Sequence, residues 1–333
     1  MPVAIDTQAQ PPPAGSDAEA FTPPSVSHVP NVAYLIGHPI AHSSSPALHD
    51  SISATSEFPY AQVLVETKDL LSSLRYLRDH PSTPRLLGSG VTMPHKVAVI
   101  PHLDDLTDEA KAVGAVNTIF FRRNDIKDGP LRFTGHNTDT IGIRDAFRFN
   151  VSSETLNSCR GRPGLIVGGG GTCRAAIYAL QQFLGCSKIY IVNRDASEVE
   201  AVLKECRARN AAEHLVHVAT LDQAEGLEAP GLIVSAVPDF EPKTPEEKTA
   251  RAILSSFLNQ QQQQGLKGGL VEMCYHPSPD THISRMAAEA GWKVIGGIEA
   301  MIGQGLEQSK LWTGIEVTEK LRDAARKAVR PKH

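Results

Sequence analysis

Apolar and polar residues alternate in short blocks along this chain, and the period of the blocks switches back and forth. Val32 to Ile36, Ala61 to Val65 and Leu86 to Thr92 are runs of the length and composition that predict buried strands. Between them, Leu70, Leu71, Leu74 and Leu77 fall at helical spacing within Lys68 to Asp79. Ser43-Ser44-Ser45-Pro46 reads as a helix start with proline in the first turn. Asp108 to Val113 predicts a short helix and Ala115 to Phe121 a strand with Asn117-Thr118 near its start. The apolar run Leu131 to Phe133 leads into Gly135-His136-Asn137-Thr138-Asp139, and a helical pattern begins near Thr140. Further strands are predicted over Gly164 to Val167, Lys188 to Asn193, Leu232 to Val237, Leu270 to Cys274 and Trp292 to Ile295. Helices are predicted over Arg174 to Leu184, Pro242 to Leu258, Ile298 to Leu311 and Val317 to Val329. Strands and helices in alternation predict an α/β fold.

Two stretches fall outside this pattern. Residues 1–30 are rich in Pro, Ala and Ser and carry too little apolar surface to order themselves, so a tail is expected there. They also lack the basic start and apolar core of a signal peptide. Gln260 to Gln264 is a low-complexity loop with no chemistry of its own.

Composition narrows the function classes. A length of 333 residues suggests about two domains, and a hydrophobic fraction of 41% can fill their cores. The formal net charge is −4 with the signs well mixed, so nucleic acid is not an expected partner. The longest apolar runs are too short to span a membrane. Five scattered cysteines, Cys159, Cys173, Cys186, Cys206 and Cys274, form no Cys-x-x-Cys pair, which argues against a disulfide framework or a zinc site. A reducing, cytoplasmic setting is the expectation. None of the histidines pairs at ligand spacing with a carboxylate on one helix face, so no metal centre is expected.

Candidate chemistry sits at three places. Gly168-Gly169-Gly170-Gly171-Thr172 lies between a predicted strand and a predicted helix, with another strand following. In that context glycines let a backbone approach a pyrophosphate, and the helix start faces its charge. Asp139 reads in two ways: as a helix cap, or as a carboxylate offered at a strand end. Lys96 closes a second motif, Val91-Thr92-Met93-Pro94-His95-Lys96. A lysine, an aspartate and a dinucleotide turn are the parts needed to move a hydride and a proton together.

With these motifs in hand, the chain resembles the shikimate and quinate dehydrogenases from about Ala33 to Gly314. The likeness rests on Gly37 to Pro46, Val91 to Lys96, Gly114-Ala115-Val116-Asn117-Thr118, Asn137-Thr138-Asp139, Gly168 to Gly171, Asn193-Arg194, and Gly303-Gln304 before Trp312-Thr313-Gly314, all in the family's order. It implies an N-terminal substrate domain over 31–139 and a Rossmann domain over 140–314. It also implies a terminal helix over 315–330 that returns to the first domain. Ser43 and Ser45 would bind the carboxylate of a ring acid. Thr92, Asn117 and Asp139 would hold its ring hydroxyls, with Tyr275 and Gln304 approaching from the second domain. Lys96 and Asp139 would be the catalytic pair, Lys96 as acid and base and Asp139 as its partner and substrate orienter. Burial would lower the lysine pKa and the neighbouring carboxylate would raise it, and the two would titrate together. The dinucleotide would lie on Gly168, Gly169, Gly170, Gly171 and Thr172, with Asn193, Arg194, Asp195, Ala236, Val237 and Gly297 completing its site.

Departures from the family pattern refine these expectations. Gly90 stands where an asparagine is usual, which removes an amide near the substrate and leaves room for a bulkier ring such as quinate. Glu272 replaces the usual aspartate, a mild change. After Asn193-Arg194 come Asp195 and, three positions on, Glu198, where NADP-using members carry a hydroxyl and a basic residue. A carboxylate there would favour an adenosine ribose and repel a 2′-phosphate, although both residues also suit a helix start. Arg194 argues the other way, since it could pair with that phosphate. The resulting expectation is an NAD-dependent quinate dehydrogenase that also accepts shikimate, a monomer or homodimer acting on quinate, shikimate or their dehydro forms. The alternatives are an NADP-dependent shikimate dehydrogenase of aromatic biosynthesis, and a non-catalytic sensor or repressor of quinate use.

Overall fold

The computed structural model describes residues 29–81, 83–121, 131–209, 214–260, 267–275 and 278–329. Most of the expected tail and Gln261 to Gln264 lie outside the described residues.

Two sheets organise the molecule. The first holds β1 (Asn31–Gly37), β2 (Ala61–Glu66), β3 (Arg85–Val91), β4 (Asp105–Leu106), β5 (Thr118–Phe120) and β6 (Thr134–His136), in the order β2-β1-β3-β5-β6-β4. Strand β5 runs antiparallel to both of its neighbours, and the other pairs are parallel. The second holds β7 (Gly164–Val167), β8 (Ile189–Val192), β9 (Leu215–His217), β10 (Leu232–Ser235), β11 (Gly269–Glu272) and β12 (Lys293–Gly296), all parallel, in the order β12-β11-β10-β7-β8-β9. This is the doubly wound order, and the direction of winding reverses between β7 and β10. A crevice for a ligand opens at such a switch point, beyond the strand ends.

The sequence explains both sheets. Strands β7, β8, β10 and β11 are buried along their whole length, as continuous apolar runs covered by helices on both faces must be. In β1 the side chains divide by period two. Val32, Tyr34 and Ile36 pack with Leu74 and Leu77, while Ala33 packs on the other face with Tyr60, Leu87 and Trp312. The last helix, Glu319–Val329, carries Leu321, Ala325 and Val329 one turn apart, and this stripe packs on Leu48 and Ile52 of the Ser45–Ser56 helix. The Glu319–Val329 helix therefore lies against the Ser45–Ser56 helix, which follows β1.

Two helices meet between the sheets, Asp139–Asn150 and Gly297–Thr313. Their contact runs over glycines. A Cβ on Gly142 would run into the Ala300 carbonyl oxygen, and one on Gly303 would stand 3.0 Å from the Gly142 Cα. This close approach brings the first turn of one helix beside Gln304 of the other.

Several expectations are corrected. The strand near Leu131 to Phe133 is β6, and it lies inside the polar motif at Thr134–His136. The strand expected over Ala115 to Phe121 shrinks to β5, because the Val116 N–H is drawn to the Lys96 carbonyl. The helix after the glycine run begins at Gly171, earlier than the side-chain pattern suggests. Asp139 is not a cap. Its own N–H is taken by Asn137 Oδ1 at 3.1 Å, so Asn137 serves the helix start and the Asp139 carboxylate is left for other work. The helices Ser153–Cys159, Leu221–Glu225 and His282–Glu289 and the edge strand β9 were unmarked, being short or strongly polar.

Candidate active site

Lys96 and Asp139 are 43 residues apart in the chain and meet in the fold. Lys96 Nζ donates to Asp139 Oδ2 at 2.5 Å. The lysine stands in the short His95–Ala98 helix that follows β3, and the aspartate opens the helix that follows β6. Asn117 locks the other carboxylate oxygen, its Nδ2 donating to Asp139 Oδ1 at 2.8 Å. The orientation of the Asn117 amide is fixed, because its Oδ1 accepts from the Thr138 N–H at 2.7 Å and from Thr118 Oγ1 at 2.8 Å. The same Nδ2 reaches Gln304 Oε1 at 2.9 Å, across 187 residues of sequence. A carboxylate held from two sides by donors has one geometry to offer a substrate.

This web forms one wall of a cavity of about 400 Å³. Ser43, Ser45, Thr92, Lys96, Asn117, Asp139, Tyr275 and Gln304 all line it. Ser43 comes from the turn after β1 and Ser45 opens the helix that follows it, Thr92 follows β3, and Tyr275 and Gln304 come from the second half of the chain. Residues that sequence reasoning passed over also face the cavity, above all Gln308. It lies one helical turn after Gln304, and that spacing was its signal. Gln308 Nε2 donates to Thr118 Oγ1 at 3.1 Å, and its Oε1 accepts from buried His49 at 3.3 Å. Burial pushes the His49 pKa down to about 4, so it is neutral at ordinary pH. At Gly90, the Leu35 side chain occupies part of the space that a larger residue would need. A Cβ there would stand 2.9 Å from Leu35 Cδ1, with the amides of Gln308 and Gln62 at 3.5 and 3.6 Å.

A second cavity of about 380 Å³ lies at the switch point. Gly168, Gly169, Gly170, Asn193, Arg194, Ala236 and Val237 line it, and Met93 faces both cavities. Gly168 has φ +125°, and a Cβ on it would press on the Ala236 carbonyl at 2.9 Å, so only glycine allows the ends of β7 and β10 to come this close. Around Gly170 the space for a Cβ is open, and no side chain caps the helix that starts there. An open glycine turn before an uncapped helix start fits a pyrophosphate. Gly171, Thr172, Asp195 and Gly297 are not part of the lining. Gly171 faces the other way, where its Cβ would lie 3.8 Å from the Lys96 Cδ. The Asp195 carboxylate caps the Ala196–Ala208 helix, accepting from the Ser197 N–H at 2.8 Å and the Ser197 hydroxyl at 2.6 Å. Glu198 and Glu247 are the carboxylates that line the cavity. Buried Glu272, on β11, accepts from the Cys274 N–H and Thr281, and burial pushes it up to about 7.

The chain is 48% identical over 294 residues to a quinate dehydrogenase of Emericella nidulans, covering 86% of this chain and 88% of that one. It belongs to the shikimate and quinate dehydrogenase family. A family profile described as the shikimate dehydrogenase substrate binding domain matches residues 35–119 of this family member. Two solved structures carry the same fold. A shikimate 5-dehydrogenase of Thermus thermophilus in complex with NADP(H) and shikimate is 26% identical, with TM-score 0.65 over 90% of this chain and 99% of its own. A quinate dehydrogenase of Corynebacterium glutamicum in complex with NAD is 24% identical, with TM-score 0.69 over 89% and 98%. As a dehydrogenase of this family, the chain is an oxidoreductase that works with a nicotinamide dinucleotide.

Proposed function

We propose that this enzyme is an NAD-dependent quinate dehydrogenase that also oxidises shikimate, with the ring acid in the first cavity and the dinucleotide in the second. Residues 31–139 would form the substrate domain and 140–314 the dinucleotide domain. The observation that carries the reading is the Lys96–Asp139 pair at 2.5 Å in the wall of the first cavity, with the Lys96 stem beside Gly171 of the glycine turn.

Ser43 and Ser45 offer hydroxyl donors to the carboxylate of the ring acid at one end of the cavity. Thr92, Asn117 and Asp139 face its ring hydroxyls. Gly169 and Gly170 would hold the pyrophosphate with backbone N–H groups, Gly168 would let the backbone come close while its own N–H stays on the Val192 carbonyl, and Ala236 and Val237 would flank the nicotinamide end. Bound there, NAD supplies the hydride acceptor. Oxidation of an alcohol also releases a proton, and Lys96 is placed to take it and pass it on, with Asp139 balancing its charge. Asn117 and Gln304 keep Asp139 from turning away during that transfer. Met93 stands between the cavities with its side chain exposed, where a bound ring acid and dinucleotide would cover it from both sides.

Quinate is preferred in this reading because the relative at 48% identity is a quinate dehydrogenase and because Gly90 leaves Leu35, which lines the cavity, room to sit back beside it. NAD is preferred because Glu198 and Glu247 face the adenosine end. Arg194 in the same lining is the observation that favours the second reading, an NADP-dependent shikimate dehydrogenase. Initial rates for quinate and shikimate with NAD and with NADP separate the two. The expected order has quinate with NAD fastest, and the fastest rate with shikimate and NADP would overturn the proposal.

A further inference from the structure

We propose that Glu247 decides between NAD and NADP by holding Arg194 in an ion pair that a 2′-phosphate would have to break. The inference rests on the dinucleotide reading of the second cavity. The adenosine ribose of a dinucleotide lies beyond the second strand of the βαβ unit. Here that strand is β8, and Asn193-Arg194 follows it. Arg194 is the residue there with the fork of donors that a phosphate requires. Its Nη1 already donates to Glu247 Oε1 at 2.6 Å.

Glu247 is a fixed partner. Its other oxygen, Oε2, accepts from the backbone N–H groups of Lys243 at 2.8 Å and Thr244 at 3.2 Å. Thr244 Oγ1 in turn accepts from the Glu247 N–H, which closes a capping box at the start of the Pro245–Asn259 helix. Those N–H donors hold the carboxyl down at about 2, so it carries its charge across the working range of pH. One oxygen is thus anchored to backbone and the other is presented to Arg194.

The surrounding charges agree. Arg194, Arg251, Glu198 and Glu247 line this cavity, two of each sign. Glu198 is committed to Asn193, whose Nδ2 donates to it at 2.7 Å. A 2′-phosphate brings between about one and two further negative charges into a balanced site. NAD brings a ribose hydroxyl, which leaves the Arg194–Glu247 pair intact. Asp195 takes no part, since its carboxylate is spent on Ser197.

The test uses the full chain titrated calorimetrically with NAD and with NADP, as wild type, Glu247→Gln and Glu247→Gln with Arg194→Gln. Glutamine at this helix position also closes a capping box, so the first substitution removes the charge and keeps the helix start. An unchanged Tm checks that. In Glu247→Gln the ratio of the NADP to the NAD dissociation constant falls about tenfold, a scale set by a solvent-screened pair. Adding Arg194→Gln abolishes the gain. An unchanged ratio in Glu247→Gln, or a gain that survives the loss of Arg194, overturns the proposal. The wild-type titrations judge the cofactor reading separately. Tighter binding of NADP than NAD by the wild type would refute that reading, while the change of ratio would still decide the role of Glu247.

Discussion

The two cavities meet at Met93 and are built of different material. The ring-acid cavity is made of side chains drawn from distant parts of the chain and tied to one another, as Asn117 is to Asp139 and to Gln304. The cavity proposed for the dinucleotide combines glycine backbone at the end of β7 with apolar side chains such as Val237, Leu254 and Ile283, and groups the charged side chains Arg194, Glu198, Glu247 and Arg251. The first fixes geometry through hydrogen bonds that fail one atom at a time. The second fixes geometry through glycines that fail when a Cβ is added, and tunes preference through ion pairs open to solvent.

The comparison is tested most severely at Lys96. Lys96→Ala should lower kcat by about a hundredfold or more, the scale for losing a general acid and base, with a smaller change in KM. Equal kcat in wild type and variant would remove Lys96 from the mechanism and leave the first cavity without its proposed acid and base.

Acid stability separates the two sides next. Burial pushes His49 and His136, around the ring-acid cavity, down to about 4. The unfolded chain takes up those protons as pH falls below the ordinary 6.5, and the folded chain does not. Their contribution is therefore complete above that value and is lost between it and pH 4, by up to about 3 kcal/mol for each fully buried imidazole. Glu272, at the end of β11 in the second sheet, works in the opposite sense. Its folded pKa near 7 lies above the ordinary 4.5, so its contribution is present in acid and lost as pH rises through 7. Urea melts across this range should show His49→Gln flattening the acid loss and Glu272→Gln steepening it. Identical slopes in all three proteins would mean that these groups titrate normally.

The backbone side is probed by Gly168→Ala. Its positive φ and the nearby Ala236 carbonyl make a Cβ costly by about 2 kcal/mol. Dinucleotide affinity should fall by about tenfold or more, while binding of shikimate or quinate, read by protection against thermal unfolding, stays close to wild type. An equal loss for both ligands would show that the cavities are one mechanical unit.

The smallest effect is expected at Asp195. Asp195→Ala removes a helix cap, so Tm should drop slightly while the preference between NAD and NADP is kept. A shifted preference would return Asp195 to the ribose.

How much of this was legible depended on distance along the chain. The glycine turn could be read because strand, turn, helix and next strand are contiguous, and contiguous residues obey local rules. Lys96 and Asp139 could be named from their motifs, but Asp139 at a helix start looks like a cap. Only the fold shows that Asn137 takes that duty. Gln308 carried a readable signal, one turn from Gln304. Glu247 carried a misleading one, since Thr244-x-x-Glu247 marks a helix start and says nothing about Arg194, 53 residues away.

The sequence by itself determined the alternation of strands and helices, the glycine turn and the residue types available for catalysis, because periodicity and backbone freedom are properties of neighbouring residues. The tertiary structure alone decided which carboxylates face which cations. Glu247 reaches Arg194, 53 residues away, because ion pairing depends on separation in space, and folding sets that separation.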